Sequence, residues 1–206
     1  MAIEAKRSII SDQTRDKSEQ DMISFFRSIP KGPEGSFGLM GGWAVTYLLT
    51  KRKIDHVGSR DIDIFYDPNR VSYENVSKMI RHQGFQPHST FRWIKYVDAR
   101  TGREISEDES KTLDQFNLIN IYLDLGAPAQ SGNHVLHEPL LQEVFSGKCE
   151  YWHSADTRIL MPAIDIMVKI KTKSTLQRLD TFKREKDLVD LVAMIRNVQN
   201  LWLTEG

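Results

Sequence analysis

The chain has 206 residues, 40% hydrophobic and 27% charged, with 28 Lys and Arg balanced by 28 Asp and Glu; that length buries one sizeable core and argues against two full domains. The neutral balance gives no whole-chain pull toward nucleic acid or membrane. The single cysteine, Cys149, excludes an internal disulfide framework and a cysteine-built zinc site, and it fits a reducing compartment.

In chain order, the segment MAIEAKRSIISDQTRDKSEQDM is polar and lacks the apolar centre of a signal peptide. No stretch reaches the ~20 apolar residues of a membrane span. The expectation is a cytoplasmic protein without a membrane partner, with residues 1–17 loose. From Ser18 to Ile29, Met22, Ile23, Phe25, Phe26 and Ile29 recur at helical intervals until PKGPEG stops them, which predicts a first helix. FGLMGGWAVTYLLTKRK reads as a short strand, a Gly-Gly turn and a helix that packs Val45, Leu48 and Leu49 inward. A loop then feeds a strand from Asp61 to Tyr66, ended by Asp67 and Pro68.

Tyr73 to His82 is predicted to be an amphipathic helix with Val76, Met79 and Ile80 on one side, ending near Gly84. FRWIKYVD and, from Phe116 to Leu125, FNLINIYLDL read as strands; between them lie a turn at ARTGRE and the charged segment ISEDESKT. GAPAQSGNH is loop, EPLLQEVFSG a short helix, and CEYWHSADTRILMP one or two strands. After Pro162, AIDIMVKIKTK and TFKREKDLVDLVAMIRNVQNLWL are both helical by period. The domain reading is a core over 18–160 and C-terminal helices over 161–206 that close a cleft.

Three features carry possible chemistry. Gly41 and Gly42 fall between a strand and a helix, where glycine lets backbone N–H groups approach a phosphate at the positive helix end; a plain tight connection is the competing reading. Asp61 and Asp63 share one face of a strand whose Ile62, Ile64 and Phe65 supply apolar packing. Two like charges there call for a cation, and hard oxygen ligands suit Mg²⁺ or Mn²⁺, unless the strand simply turns its acids to water. Asp124 lies on the polar side of an alternation of Ile119, Ile121, Leu123 and Leu125 with Asn120 and Tyr122. It is either a surface residue or a third acid acting as metal ligand or general base.

The ordered set GLMGGWAVTYLL, GSRDIDIFY and IYLDL resembles the nucleotidyltransferase superfamily that includes DNA polymerase beta, and within it most nearly the AbiEii-type toxins and the small antibiotic nucleotidyltransferases. Gly41 and Gly42 match that family's glycine turn, Asp61 and Asp63 its paired acids, and Asp124 its third acid. The C-terminal segment resembles the AbiEii-like proteins too, in which a helical lysine reaches the triphosphate and a Lys-Asp pair opens a later helix. Lys169 and Lys171 are candidates for the first role, with Lys169 slightly favoured; Arg178, Lys186, Asp187 and Asp190 fall in the second region. A solvated face with intrahelical ion pairs competes for the latter. One departure stands out: Ser59 fits the family pattern, but Val57 and Gly58 occupy the place of its arginine, leaving Arg60 or His56 as substitutes.

The resemblance implies an α/β (α+β) fold with a small mixed sheet flanked by helices. It also implies transfer of a nucleoside monophosphate from a nucleoside triphosphate to a hydroxyl acceptor, with Mg²⁺ or Mn²⁺. Asp61, Asp63 and Asp124 would hold metal and act in catalysis. Gly41, Gly42, Ser59, Arg60, Lys169, Lys171 and Lys186 would bind the nucleotide. The acceptor stays open among an RNA end, a protein and a small molecule. A non-catalytic nucleotide-binding module, or a toxin–antitoxin-type interaction protein with an antitoxin partner, is the alternative. His134, His137 and His153 read as surface or packing residues, and Trp43 as core or as a lid over the nucleotide.

Overall fold

The computed structural model describes residues 2–30, 35–154, 157–177, 179 and 181–204. Helix α1 spans Ala2–Ser28, so it begins well before the Ser18 expected from the apolar spacing. Its Met22, Phe25 and Phe26 are buried in the main core. Strand β1 (Phe37–Met40) runs straight into helix α2 (Gly41–Thr50). The glycine pair is therefore the start of the helix and not a separate turn. Strand β2 covers Asp61–Tyr66 and helix α3 Tyr73–His82, both with the bounds expected from sequence. Ser72 caps α3 by accepting from the Asn75 N–H, and Gly84 past its end takes φ +84°, a conformation open to glycine.

Strands β3 (Gln86–Ser89), β4 (Arg92–Asp98) and β5 (Glu104–Ile105) follow. The charged segment then folds as the short helix α4 (Glu107–Ser110), closed by a reciprocal capping box between Ser106 and Glu109. A 3-10 turn leads into β6 (Leu118–Ala127), and β7 (Leu136–His137) and α5 (Leu141–Phe145) follow. Strands β8 (Cys149–Ser154) and β9 (Thr157–Pro162) precede the two C-terminal helices, α6 (Ile164–Gln177) and α7 (Thr181–Thr204).

The architecture is α/β with one mixed sheet flanked by helices. The sheet is larger than expected: its nine described strands include the path β3-β4-β6-β2-β1-β9-β8, with β5 added on β4 and β7 on β6. β2 and β6 are parallel neighbours at the centre, while β1 runs antiparallel to β2. Period-two alternation then decides what each face does. Ile62, Ile64 and Tyr66 of β2 join Ile119, Ile121, Leu123 and Leu125 of β6 in the main core. The other face changes character along its length. Its far end is apolar, with Phe65 packed among Met40, Leu141, Val144, Leu160 and Ile166, and its near end carries the aspartates. Helices α6 and α7 pack together, and α7 reaches α2. They wall off the acidic end.

A candidate nucleotide and metal site on the acidic end of the sheet

The β2–β6 register sets Asp63 beside Asp124 and Asp61 beside Tyr122. Parallel pairing keeps side chains of paired residues on one face, so the three acids converge. All three line a cavity of about 520 Å³, together with Gly41, Gly42, Ser59 and Arg60. Helix α6 supplies Lys171 and Ser174 to its wall, and α7 supplies Lys186 and Asp187.

Gly41 is required on two counts. Its φ of +66° is in the left-handed region. A Cβ there would also lie 1.9 Å from Asp63 Oδ2. Gly42 is crowded too, though less, since a Cβ on it would meet Ser59 Oγ at 2.7 Å and would lie 3.7 Å from Lys186 Nζ. The first turn of α2 is thus bracketed by Asp63, Ser59 and the Lys186 ammonium. Met40 at the cap position provides no side-chain acceptor, which leaves the first-turn N–H groups and the positive helix end facing the cavity.

Burial, then Asp124, then Asp61 push the Asp63 carboxyl up from 3.8 to about 7, with Lys171 and Arg92 pulling the other way. Burial leads that rise, and the two neighbouring carboxylates add to it. The donor set fits a hard divalent ion, because Asp61 and Asp63 present carboxylate oxygens two residues apart on one strand face. Asp124 differs. Arg92 at the start of β4 donates from Nε to Asp124 Oδ1 at 2.7 Å and from Nη2 to Oδ2 at 2.6 Å. That fork raises the pKa of Arg92 further, chiefly through its hydrogen bond to Asp124. Among the described residues no group of three His, Cys, Asp or Glu is placed to hold a metal ion.

The lysines separate cleanly. Lys169 points away from the cavity, is half exposed and sits 3.8 Å from Glu143 Oε2; this corrects the preference for it. Lys171, two residues and about 200° further round the helix, is the one turned inward. It is not an unengaged cation, because Nζ donates to Asp187 Oδ1 at 2.8 Å and Asp190 Oδ2 at 2.7 Å. Asp187 and Asp190 are buried and not part of a solvated face. Ser174 Oγ donates to Asp187 Oδ2, and His56 Nε2 lies 3.0 Å from Asp190 Oδ1. His56 Nδ1 lies 2.8 Å from Thr46 Oγ1 and faces the Gly58 N–H, so the ring is held on both sides. The network locks α6, α7 and the loop before β2 into one wall. His56 is therefore tied to Asp190 and does not stand in for the missing arginine, while Arg60 is exposed and lines the cavity. Arg178 lies outside the described residues.

Sequence reasoning missed Arg92, whose role depends on the β4–β6 register opposite Asp124. It also missed Asn120 and Tyr122 as lining residues; Asn120 Oδ1 is buried without a hydrogen-bond partner among the described residues. Their signal was the same alternation that exposed Asp124. Trp43 is core and not a lid: it is buried, and Nε1 donates to Ser18 Oγ at 3.0 Å. His134 and His137 hydrogen-bond to the backbone carbonyls of Ser89 and Pro128, and His153 is exposed.

No helix among the described residues is long and apolar enough to cross a membrane. No family model matches the chain, and no curated protein does. Among solved structures, the chain is similar to the crystal structure of an antigenic nucleotidyltransferase-like protein from Paracoccidioides brasiliensis. The two are 16% identical, the match covers 78% of this chain and 67% of that one, and the TM-score is 0.46. A likeness at that level does not establish a shared activity.

Proposed function

We propose that the protein is a metal-dependent nucleotidyltransferase, moving a nucleoside monophosphate from a nucleoside triphosphate to a hydroxyl acceptor and releasing pyrophosphate. The observation that carries this reading is the convergence of Asp61, Asp63 and Asp124 on one cavity whose facing wall is the glycine-bracketed start of α2. Acids alone repel a triphosphate, and a helix N-terminus with a lysine attracts one. Both in one cavity suit an anionic substrate delivered with a cation.

In this reading Asp61 and Asp63 hold Mg²⁺ or Mn²⁺, which when bound supplies Lewis-acid polarisation of the reacting phosphate. The N–H groups of Gly41 and Gly42, the Ser59 hydroxyl and the Lys186 ammonium bind the β and γ phosphates, with Arg60 at the rim. Once freed from the Arg92 fork, Asp124 accepts the proton of the acceptor hydroxyl as that hydroxyl's oxygen bonds to the α phosphorus and the bond to pyrophosphate breaks. Lys171, fixed by Asp187 and Asp190, sets the field at the wall and contacts no phosphate directly. Most of the acceleration in such a site comes from electrostatic positioning of groups already held in place.

The test is calorimetric titration with each nucleoside triphosphate, with and without Mg²⁺, followed by a pyrophosphate-release assay. Cation-dependent binding with pyrophosphate release supports the enzyme, and it should vanish in Asp63→Ala. The Arg92 fork on Asp124 favours a second reading, a nucleotide-binding module without turnover on the same fold, engaging a protein partner such as an antitoxin. Binding without release would select it. The acceptor class, whether RNA end, protein or small molecule, is read from where a labelled nucleotide ends up.

A further inference from the structure

At the acidic end of the sheet the protein already supplies a cation of its own. The β4–β6 register sets Arg92 directly opposite Asp124, and the guanidinium fork occupies both carboxylate oxygens. Its Nη2 also lies 3.9 Å from Asp61 Oδ2, and its plane sits over the Tyr122 ring at 4.8 Å. Fork-on-carboxylate pairing is among the stronger charge-assisted contacts. A divalent ion needs the same oxygen lone pairs. Guanidinium and metal are therefore rival occupants of Asp124.

This salt bridge opens on the cavity and is not sealed within the sheet. Arg92 and Asp124 both line it, with the Arg92 side chain 22% exposed. Once released, the guanidinium keeps the face of the Tyr122 ring within reach. The pair thus has the parts of a two-position element: one holding state that is strong and one released state that is not destitute of partners.

We propose that Arg92 is a built-in counter-ion that withholds Asp124 from divalent cations in the substrate-free protein, so that a cation recruits the third carboxylate only by displacing the guanidinium. The inference rests on the reading of Asp61 and Asp63 as metal ligands. It makes Arg92 a positioning residue, acting through Asp124. It also accounts for three converging acids that do not yet form a three-carboxylate metal site.

The experiment is Mn²⁺ binding by calorimetry, without nucleotide, to the wild-type protein, Arg92→Gln, Asp124→Asn and the double variant, each checked for folding by circular dichroism. Arg92→Gln is expected to tighten Mn²⁺ by tenfold or more. Removing one positive charge also tightens binding non-specifically, so the decisive quantity is the coupling. Asp124→Asn should weaken Mn²⁺ at least tenfold more in the Arg92→Gln background than in the wild type. Arg92→Lys, which keeps the charge and loses the fork, should still tighten Mn²⁺ several-fold, and it replaces Arg92→Gln in the cycle if that variant does not fold. An equal effect of Asp124→Asn in both backgrounds overturns the inference. If that occurs while Mn²⁺ binding is lost in Asp61→Asn, the metal reading stands without it. No Mn²⁺ binding by any folded protein in the set overturns both.

Discussion

Replacing Asp63 with asparagine removes a charge that the fold holds at a cost. Burial, Asp124 and Asp61 raise this carboxyl from 3.8 to about 7. Between those values the folded protein keeps a proton that the unfolded chain has lost, so stability declines as pH rises through the window and is lowest above it. At about 1.4 kcal/mol per pH unit, the whole window is worth a ceiling of about 4 kcal/mol. Because the carboxyl opens on the cavity, solvent screens part of that, leaving about 2–3 kcal/mol. Asparagine has the same shape and does not ionise. Asp63→Asn is therefore expected to be about 2–3 kcal/mol more stable than wild type near pH 8.5 and within about 1 kcal/mol of it near pH 4.5. Urea unfolding in the presence of a chelator, followed by the fluorescence of the four tryptophans, measures both. An equal gain at the two pH values, or a loss at the alkaline one, refutes the claim that burial and two neighbouring acids hold the Asp63 carboxyl above its usual range.

Gly41→Ala forces a left-handed backbone, costing about 1–2 kcal/mol, and drives a methyl into Asp63; it should lower the melting temperature and, in a pyrophosphate-release assay, cut turnover at least a hundredfold. Lys171→Met leaves Asp187 and Asp190 buried without their shared cation and should cost about 3–5 kcal/mol in chemical denaturation. Lys169→Ala, on the outer side of the same helix, should stay within about 0.5 kcal/mol of wild type and keep full turnover; a large effect there would put the wrong lysine in the wall. Binding of Mg²⁺ near pH 7 should release protons from Asp63, and near pH 9 almost none, as read by calorimetry in buffers of different ionisation enthalpy.

Much of the fold could be read along the chain wherever a period was unbroken and its ends were marked. β2 is bounded by the alternation of DIDIFY and by Pro68, and α3 by Ser72 and Gly84, so both came out at the observed residues. The short strands β3, β5 and β7 carry too few residues for a period, and they exist because β4 and β6 offer them an edge. The first half of α1 is polar, with no apolar stripe to announce a helix. In the site, the acids and the glycines were legible because strand spacing puts Asp61 with Asp63, and a glycine pair before an apolar helix is a local signal. Arg92 was not, since only the pairing of β4 with β6 brings it to Asp124. Lys171 was misjudged against Lys169 for a related reason. Helical period fixes the angle between the two lysines but not which one faces the sheet. What turns Lys171 inward is a pair of aspartates on another helix.

The acidic end of the sheet and the start of α2 are proposed to handle a nucleoside triphosphate together. The most direct measurement incubates the protein, Mn²⁺ and a cell extract with nucleoside triphosphates labelled at either the α or the γ phosphorus. Label from the α position is expected to enter an acceptor while γ label leaves as pyrophosphate, with neither transfer nor release in Asp63→Asn. Acceptor labelling from the γ position, or transfer by Asp63→Asn equal to wild type, would contradict it.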